Sequence, residues 1–335
     1  MKEVLQKVTG FGKLSKQESR KVLTSLANGE FNDGQMAAFM TTYMMRSITI
    51  EELQGFREAM LDLCIRVDLS EFDPMDLCGT GGDGKNTFNI STLASFVVAG
   101  AGIPVAKHGN NGVSSVCGSS NVLAKLGYNF TSDQELLKRQ IDSSGICFLH
   151  APLFHPAMKN VASVRRELGV KTFFNMLGPL VNPAMPKKQI IGVFSLKLAR
   201  VYGYLHQNLD KKYGIIYSLD GYDEISLSGD FKLISENGEY ILSPEDLGLS
   251  RVSPTEIYGG ESIDDAANIF LEVIQNRGSE AQNNVVIANA GIAISTYTGK
   301  GIPESIEMAR ESLNSGKARQ SFDTLIDPKN NPKTN

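Results

Sequence analysis

Apolar positions over the first ~68 residues recur at helical spacing. Val22, Leu23 and Leu26 share one face of a segment opening with Ser15-x-x-Glu18; Leu53, Phe56, Met60 and Leu63 share one face of a segment opening with Thr49-x-x-Glu52. In a capping box of this spacing, a hydroxyl and a carboxylate satisfy free N–H groups at a helix start. Gly29 is positioned to end the first of these helices, and Asp33 to cap another that carries Met36, Met40, Tyr43 and Met44. Such a methionine and aromatic stripe reads as core or subunit contact rather than as a cofactor box. Residues 1–70 are therefore expected to form a small all-helical domain.

The pattern changes after a hinge at Leu69–Met75, which contains Pro74. Short apolar runs at Met75–Cys78, Pro104–Ala106, Ile146–Leu149, Gln189–Phe194 and Gly214–Leu219 read as strands. Between them, Ile90–Ala101, Val122–Leu126, Glu135–Ile141, Met158–Leu168 and Leu196–Lys212 read as helices. This alternation predicts an α/β domain over 71–335, with a mainly parallel central sheet covered by helices on both faces. Phe231–Ser235 and Glu239–Leu242 flank Asn237-Gly238, a hairpin signal. Residues 282–295 are ambiguous on pattern alone: Val285-Val286-Ile287 favours a strand, while Ala288, Ala290 and Ala293 favour a helix. The tail from Asp327 reads as frayed.

Candidate chemistry gathers where the first predicted strand ends. Gly79, Gly81, Gly82 and Gly84 fall within six residues, followed by Thr87, Asn89, Ser91 and Thr92 at the start of a predicted helix. Glycines there let successive N–H groups line an anion, and the helix N-terminus adds partial positive charge. No Asp or Glu occurs from Gly84 to Ser132, whereas 37 acids in 335 residues would place roughly five in that window. The stretch satisfies G-x-G-x-x-G but lacks the ribose-binding acid ~20 residues on. It also satisfies G-x-x-x-x-G-K, yet Asn86 stands where a nucleotide loop needs Ser or Thr. A buried glycine-rich connection without a ligand is the competing reading.

Composition narrows the classes. Hydrophobic content of 41%, charged content of 21% and a net charge of −4 describe an ordinary globular chain and argue against general nucleic-acid binding. The sequence has no apolar run of 18 residues and no signal-peptide core, so a membrane span is not expected. Cys64, Cys78, Cys117 and Cys147 are scattered without a C-x-x-C, which points to a reduced, cytoplasmic chain with neither zinc nor disulfides. His150 and His155 are poorly spaced for a shared metal. Asp223 and Glu224, adjacent after a predicted strand, would repel one another unless separated or bridged by a cation.

Gly79-Thr80-Gly81-Gly82-Asp83-Gly84, Asn89-Ile90-Ser91-Thr92 and Lys107-His108-Gly109-Asn110 resemble the phosphoribosyl-pyrophosphate (PRPP) site of the anthranilate phosphoribosyltransferase family. Val164 to Gly169, Phe174 to Pro183 and Asp223-Glu224 match the same family in the same order. The resemblance implies PRPP contacts from Gly79, Gly82, Asp83, Thr87, Asn89, Ile90, Ser91 and Thr92, then Lys107, His108, Gly109, Asn110, Asn111, Gly112, Val113, Ser114, Ser115 and Ser119. It implies catalytic roles for Lys107 and Asp83, and anthranilate contacts from Gly79, His108, Asn110, Pro152, His155 and Arg165, with His150 beside them. It also implies Mg²⁺ on Ser91, Asp223 and Glu224, a helix over the ambiguous 282–295 stretch, and a homodimer formed by the helical domain. Asn111, Gly112, Cys117 and Asn121 depart from many relatives.

The reaction implied is transfer of the 5-phosphoribosyl group from PRPP to anthranilate, in tryptophan biosynthesis. A weakly basic aromatic amine needs no strong general base, and the sequence offers none. Two rival readings remain open to the sequence. A pyrimidine nucleoside phosphorylase would not need the Arg165 and Asn110 motifs. A non-catalytic, nucleic-acid-binding relative would show a basic surface and an eroded glycine loop.

Overall fold

Local signals in the N-terminal region act as the side-chain chemistry dictates. In the computed structural model, which describes residues 1–112 and 116–332, Ser15 and Glu18 form a full capping box on the helix Lys16–Ala27. Thr49 and Glu52 do the same for Ile50–Leu63. The intervening helix Asp33–Met45 is capped one residue earlier than expected, by Asn32 with Gln35, so Asp33 becomes a first-turn acid. A further helix, Lys2–Thr9, precedes them.

The chain divides into two compact units, and the division differs from a single boundary near residue 70. One unit is Met1–Arg66 with Ala151–Pro183; the other comprises Val67–His150 and the chain from Ala184 onward. Within the first, the inserted segment is held by Ile65 N–H donating to the Phe154 carbonyl and by Asn160 donating to that of Ala27. Phe173 completes an aromatic cluster with Phe39, Tyr43 and Phe56, stacking on Phe56 at 4.6 Å between centroids. The methionine stripe splits: Met36 and Met40 are buried, while Met44 and Met45 are exposed. Glu52, wholly buried, accepts hydrogen bonds from Leu14 N–H, the Tyr43 hydroxyl and a bidentate Arg46.

The second unit is built on seven strands: β1 (Met75–Gly79), β2 (Val105–Gly109), β3 (Ile146–His150), β4 (Lys188–Gly192), β5 (Lys212–Ser218), β6 (Phe231–Ser235) and β7 (Gly238–Leu242). Their order is β3-β2-β1-β4-β5-β6-β7; the first five are parallel, and β6 and β7 add antiparallel pairs at one edge. The predicted hairpin is present, and the sheet is mainly parallel as expected. The expected helix Leu196–Lys212 stops at His206, because Lys212 already opens β5.

The ambiguous stretch lies within one helix, Glu280–Thr298, buried along most of its length. Ser279 with Gln282 caps its start, and Gly299 at φ 78° ends it. An all-round apolar helix of this kind belongs in a core. The helix Ile90–Gly100 is likewise buried at nine of its eleven residues, so burial by itself accounts for the absence of acids from that part of the window. The tail is not frayed through Pro332. Asn330 and Asn331 are buried, and Asn331 bonds both Asn129 N–H and the Gly127 carbonyl. No helix among the described residues is long and apolar enough to cross a membrane.

Candidate active site

Strand order reverses between β1 and β4: β2 and β3 lie to one side, β5 to the other. Crevices at such switch points, beyond the carboxyl ends of parallel strands, are where α/β sheets bind ligands. Gly79 and Gly192, which end β1 and β4, are register partners, and the Asp223-Glu224 turn lies against both. A methyl group on Gly79 would come within 2.7 Å of an Asp223 carboxylate oxygen, and one on Gly192 within 1.6 Å of the Asp223 carbonyl oxygen. Both glycines are thus required by the close approach of the acidic turn.

Each carboxylate is tied to a wall of the crevice. Asp223 accepts from Gly81 N–H at 2.7 Å, and Glu224 accepts from Ser91 N–H at 3.2 Å, at the start of the helix Ile90–Gly100. Gly81, Gly82 and Gly84 have φ of 62°, 80° and 75°, the left-handed conformation that favours glycine. Asp83 lies close enough to act on Asp223. Burial, then the neighbouring Asp83 charge, pushes the Asp223 carboxyl well above its ordinary range. Burial and the Asp223 charge do the same to Glu224, partly offset by the Lys107 ammonium. Among the described residues, Asp83, Asp223 and Glu224 converge with Lys107 as the buried cation beside them, an imbalance that favours a further cation.

The donor set fits Mg²⁺. One Glu224 oxygen (Oε2) is buried without a partner, as are the hydroxyls of Thr80 and Thr92 and the Asn89 carboxamide oxygen. Asp223, Glu224 and the Ser91 hydroxyl offer hard oxygen ligands. No group of three His, Cys, Asp or Glu side chains among the described residues is arranged to hold a metal. A cation here would therefore need oxygens from a bound substrate, which is how Mg²⁺ commonly completes its shell.

Other expected residues are distributed as follows. Lys107 is buried in β2, and its ammonium donates to the Leu77 carbonyl, so it is turned into the sheet end rather than toward solvent. Ile90 is fully buried, which leaves only its backbone to serve a ligand. Thr87 bridges Tyr258. Asn89 donates to the Cys117 carbonyl, joining the helix start to the second loop. In that loop Ser119 donates to the Asn110 carbonyl, and Asn121 accepts from both Gly112 and Gly118 N–H. Gly109 packs so tightly that a methyl group would lie 2.3 Å from the Phe148 ring. His108 is buried, with its N–H on Asp76, and His150 bonds Ser120 and stacks on Phe130. Asn110, Asn111 and Gly112 are exposed. Val113, Ser114 and Ser115 lie outside the described residues.

Pro152, His155 and Arg165 belong to the helical unit. Arg165 is half-buried over the Phe174 ring at 5.2 Å, and burial lowers its guanidinium pKa; Arg166 is exposed, as expected of its solvated face. Pro152 is exposed. His155 is buried against the Val181 carbonyl at 3.0 Å, and burial pulls its pKa down to about 4. That environment favours the neutral imidazole at His155.

Residues 71–319 match the a/b domain of the Glycosyl transferase family, and residues 2–64 match its helical bundle domain. The chain is 59% identical to the anthranilate phosphoribosyltransferase of Christiangramia forsetii over 97% of its own length and 98% of the relative's. With that of Flavobacterium johnsoniae it shares 58% over the same proportions. This chain belongs to the anthranilate phosphoribosyltransferase family. The fold agrees with the family's solved structures. The Thermus thermophilus anthranilate phosphoribosyltransferase superposes with a TM-score of 0.90 at 31% identity, covering 96% of this chain and 98% of that one. The Saccharomyces cerevisiae enzyme, in complex with PRPP and Mg, superposes at 0.88 with 26% identity and 96% of each chain covered.

Several family-site supports escaped the sequence reading. Asp76, buried in β1, accepts from His108 N–H on β2 and from the Gln189 side chain on β4, bracing three strands below the crevice. The glycine loop is backed by residues 257–260: Gly259 N–H donates to the Asn86 carbonyl, and Asn86 donates to that of Gly260. Gly192 carried no motif at all. The doublet Gly259-Gly260 was the one signal visible in advance.

Proposed function

We propose that this protein transfers the 5-phosphoribosyl group from PRPP to anthranilate, releasing pyrophosphate, with Mg²⁺ required and tryptophan biosynthesis as its setting. The observation that carries the reading is the pairing of Asp223 with the glycine-loop N–H of Gly81 and of Glu224 with the helix-start N–H of Ser91. That pairing brings acidic cation ligands and an anion cradle to one crevice. The Saccharomyces cerevisiae relatives in complex with PRPP and Mg and with 4-fluoroanthranilate support it.

The glycine-loop amides and the start of the helix Ile90–Gly100 would bind the diphosphate, where backbone donors need no reorganisation as charge builds on the leaving group. Asp223, Glu224 and Ser91 would hold Mg²⁺, which supplies charge neutralisation for that leaving group. Lys107 would act from beneath by its field, fixing the β1 end and the electrostatics of Glu224 rather than touching phosphate. Arg165 would receive the anthranilate carboxylate in a planar fork. Bound and oriented, the aromatic amine attacks the anomeric carbon as the C–O bond to pyrophosphate breaks, and its proton passes to solvent or to pyrophosphate oxygen.

We read the protein as a cytoplasmic homodimer whose exposed Phe11, Met44 and Met45 are apolar surface for a second copy to cover. The direct assay follows anthranilate fluorescence after adding PRPP and Mg²⁺. Loss of signal that needs all three components is the expected result. No loss, with PRPP intact, would sink the proposal.

A further inference from the structure

Nothing in the reaction calls for a polar residue in the core helix Glu280–Thr298, yet Asn289 sits there buried among Val285, Val286, Ile292 and Ala293. Its carboxamide is fully used. The oxygen accepts from Ile225 N–H at 3.0 Å, and the nitrogen donates to the Ile225 carbonyl at 2.9 Å and to the Val285 carbonyl at 2.8 Å. One side chain thus pairs with both backbone groups of the residue that follows Glu224, as a neighbouring strand would.

The rest of the turn is held just as tightly, but from other elements. The Asp223 carbonyl is packed against Gly192, and the Glu224 carbonyl accepts from the Ser218 hydroxyl at 2.6 Å. Three residues beyond Glu224, Leu227 has φ 58°, a left-handed conformation that a branched side chain keeps only where its surroundings over-determine it. Asn289 also lines a small cavity of about 20 Å³ together with Ser91, Asp223, Glu224 and Cys78. It ties the core helix to the crevice's acidic wall.

We infer that Asn289 is a positioning residue for the acidic pair, setting through Ile225 the direction in which Asp223 and Glu224 present their carboxylates to a cation and diphosphate. The inference rests on the function proposed above. Replacing Asn289 with Leu keeps the branched shape, in a somewhat larger side chain, but leaves the Ile225 N–H and carbonyl without their Asn289 partners, freeing the turn without touching any ligand. Asn284 is buried in the same helix, five residues away and about 140° round it; Asn284→Leu is the matched control for helix stability.

The test compares parent, Asn289→Leu, Asn289→Ser and Asn284→Leu by hydrogen exchange of the 219–228 segment and by the thermal shift produced by Mg²⁺ with PRPP. Exchange in 219–228 should rise at least tenfold in both Asn289 variants, with 231–242 unchanged. Half-saturating Mg²⁺ should rise tenfold or more while the anthranilate KM stays at the parent value. Asn289→Ser, being smaller, keeps the test open should Asn289→Leu fail to fold. Parental exchange and Mg²⁺ dependence in a folded Asn289 variant, or the same changes in Asn284→Leu, would overturn the inference alone. A parent protein with no shift from Mg²⁺ and PRPP would overturn the functional reading, and this inference with it.

Discussion

Glycine substitutions at the crevice should rank by what the added methyl group meets. In Gly192→Ala the new carbon would start 1.6 Å from the Asp223 carbonyl oxygen and 2.8 Å from its carbonyl carbon. Ordinary contact is about 3.5 Å, so the turn's backbone must retreat by ~2 Å. Overpacking of that kind costs about 1–3 kcal/mol of stability. A displacement of even ~1 Å at a reacting site can cost about a hundredfold in rate. Gly79→Ala meets only the tip of the Asp223 side chain, at 2.7 Å. The tip can swing away, losing its charge-assisted bond to Gly81 N–H, worth about 1.5–3 kcal/mol or ten- to a hundredfold in PRPP affinity. Gly81→Ala meets nothing within 4 Å but sits at φ 62°, which costs about 1–2 kcal/mol of stability and leaves its N–H in place. PRPP KM by anthranilate fluorescence, measured beside melting curves, should therefore rise in the order Gly81→Ala, Gly79→Ala, Gly192→Ala. If Gly192→Ala keeps a parental PRPP KM and Mg²⁺ dependence, the acidic turn is not part of the site.

Four other perturbations have equally definite outcomes. Arg165→Ala should raise the anthranilate KM ten- to a hundredfold and the PRPP KM far less, since one charge-assisted carboxylate contact is worth about 1.5–3 kcal/mol; equal effects on both would remove Arg165 from the acceptor site. Asp223→Asn with Glu224→Gln should leave the metal-free protein at least as stable as the parent, because repulsion is relieved, yet abolish the added melting temperature from Mg²⁺ and PRPP. A parental ligand-induced shift in that double variant would mark the acids as plain turn residues. His155, whose pKa falls from 6.5 unfolded to about 4 folded, keeps its full stabilisation above about pH 6.5 and loses it as pH falls toward 4, by about 3 kcal/mol in all. Urea melts should show that acid sensitivity reduced in His155→Gln, and an unchanged pH profile would contradict it. Asn331→Ala removes the two side-chain ties to residues 127–129, leaving only the Asn129 side chain on the residue-331 carbonyl, and should lower stability by about 1–3 kcal/mol, whereas a freely frayed tail would show no change.

The sequence by itself determined what depends on neighbours within a few residues. Ser15-Glu18 and Thr49-Glu52 close their boxes over three positions, and Gly81, Gly82 and Gly84 take the positive φ that glycine permits. Alternating strand and helix patterns were enough for a mainly parallel sheet with a site beyond its strand ends. Tertiary structure decided whatever links distant residues. The segment 151–183 joined the helical unit because Phe173 fits among Phe39, Tyr43 and Phe56, a match no local period records. The segment 282–295 became helix within a buried 19-residue element, where surroundings rather than β-branching chose the state. Lys107 turned to Leu77 and His155 to Val181 because a buried polar group must find a partner, and the nearest ones lie 30 and 26 residues away. Gly192 and Asn289 carried no motif; their roles exist only once β4 and the core helix Glu280–Thr298 are folded against the turn that holds Asp223 and Glu224.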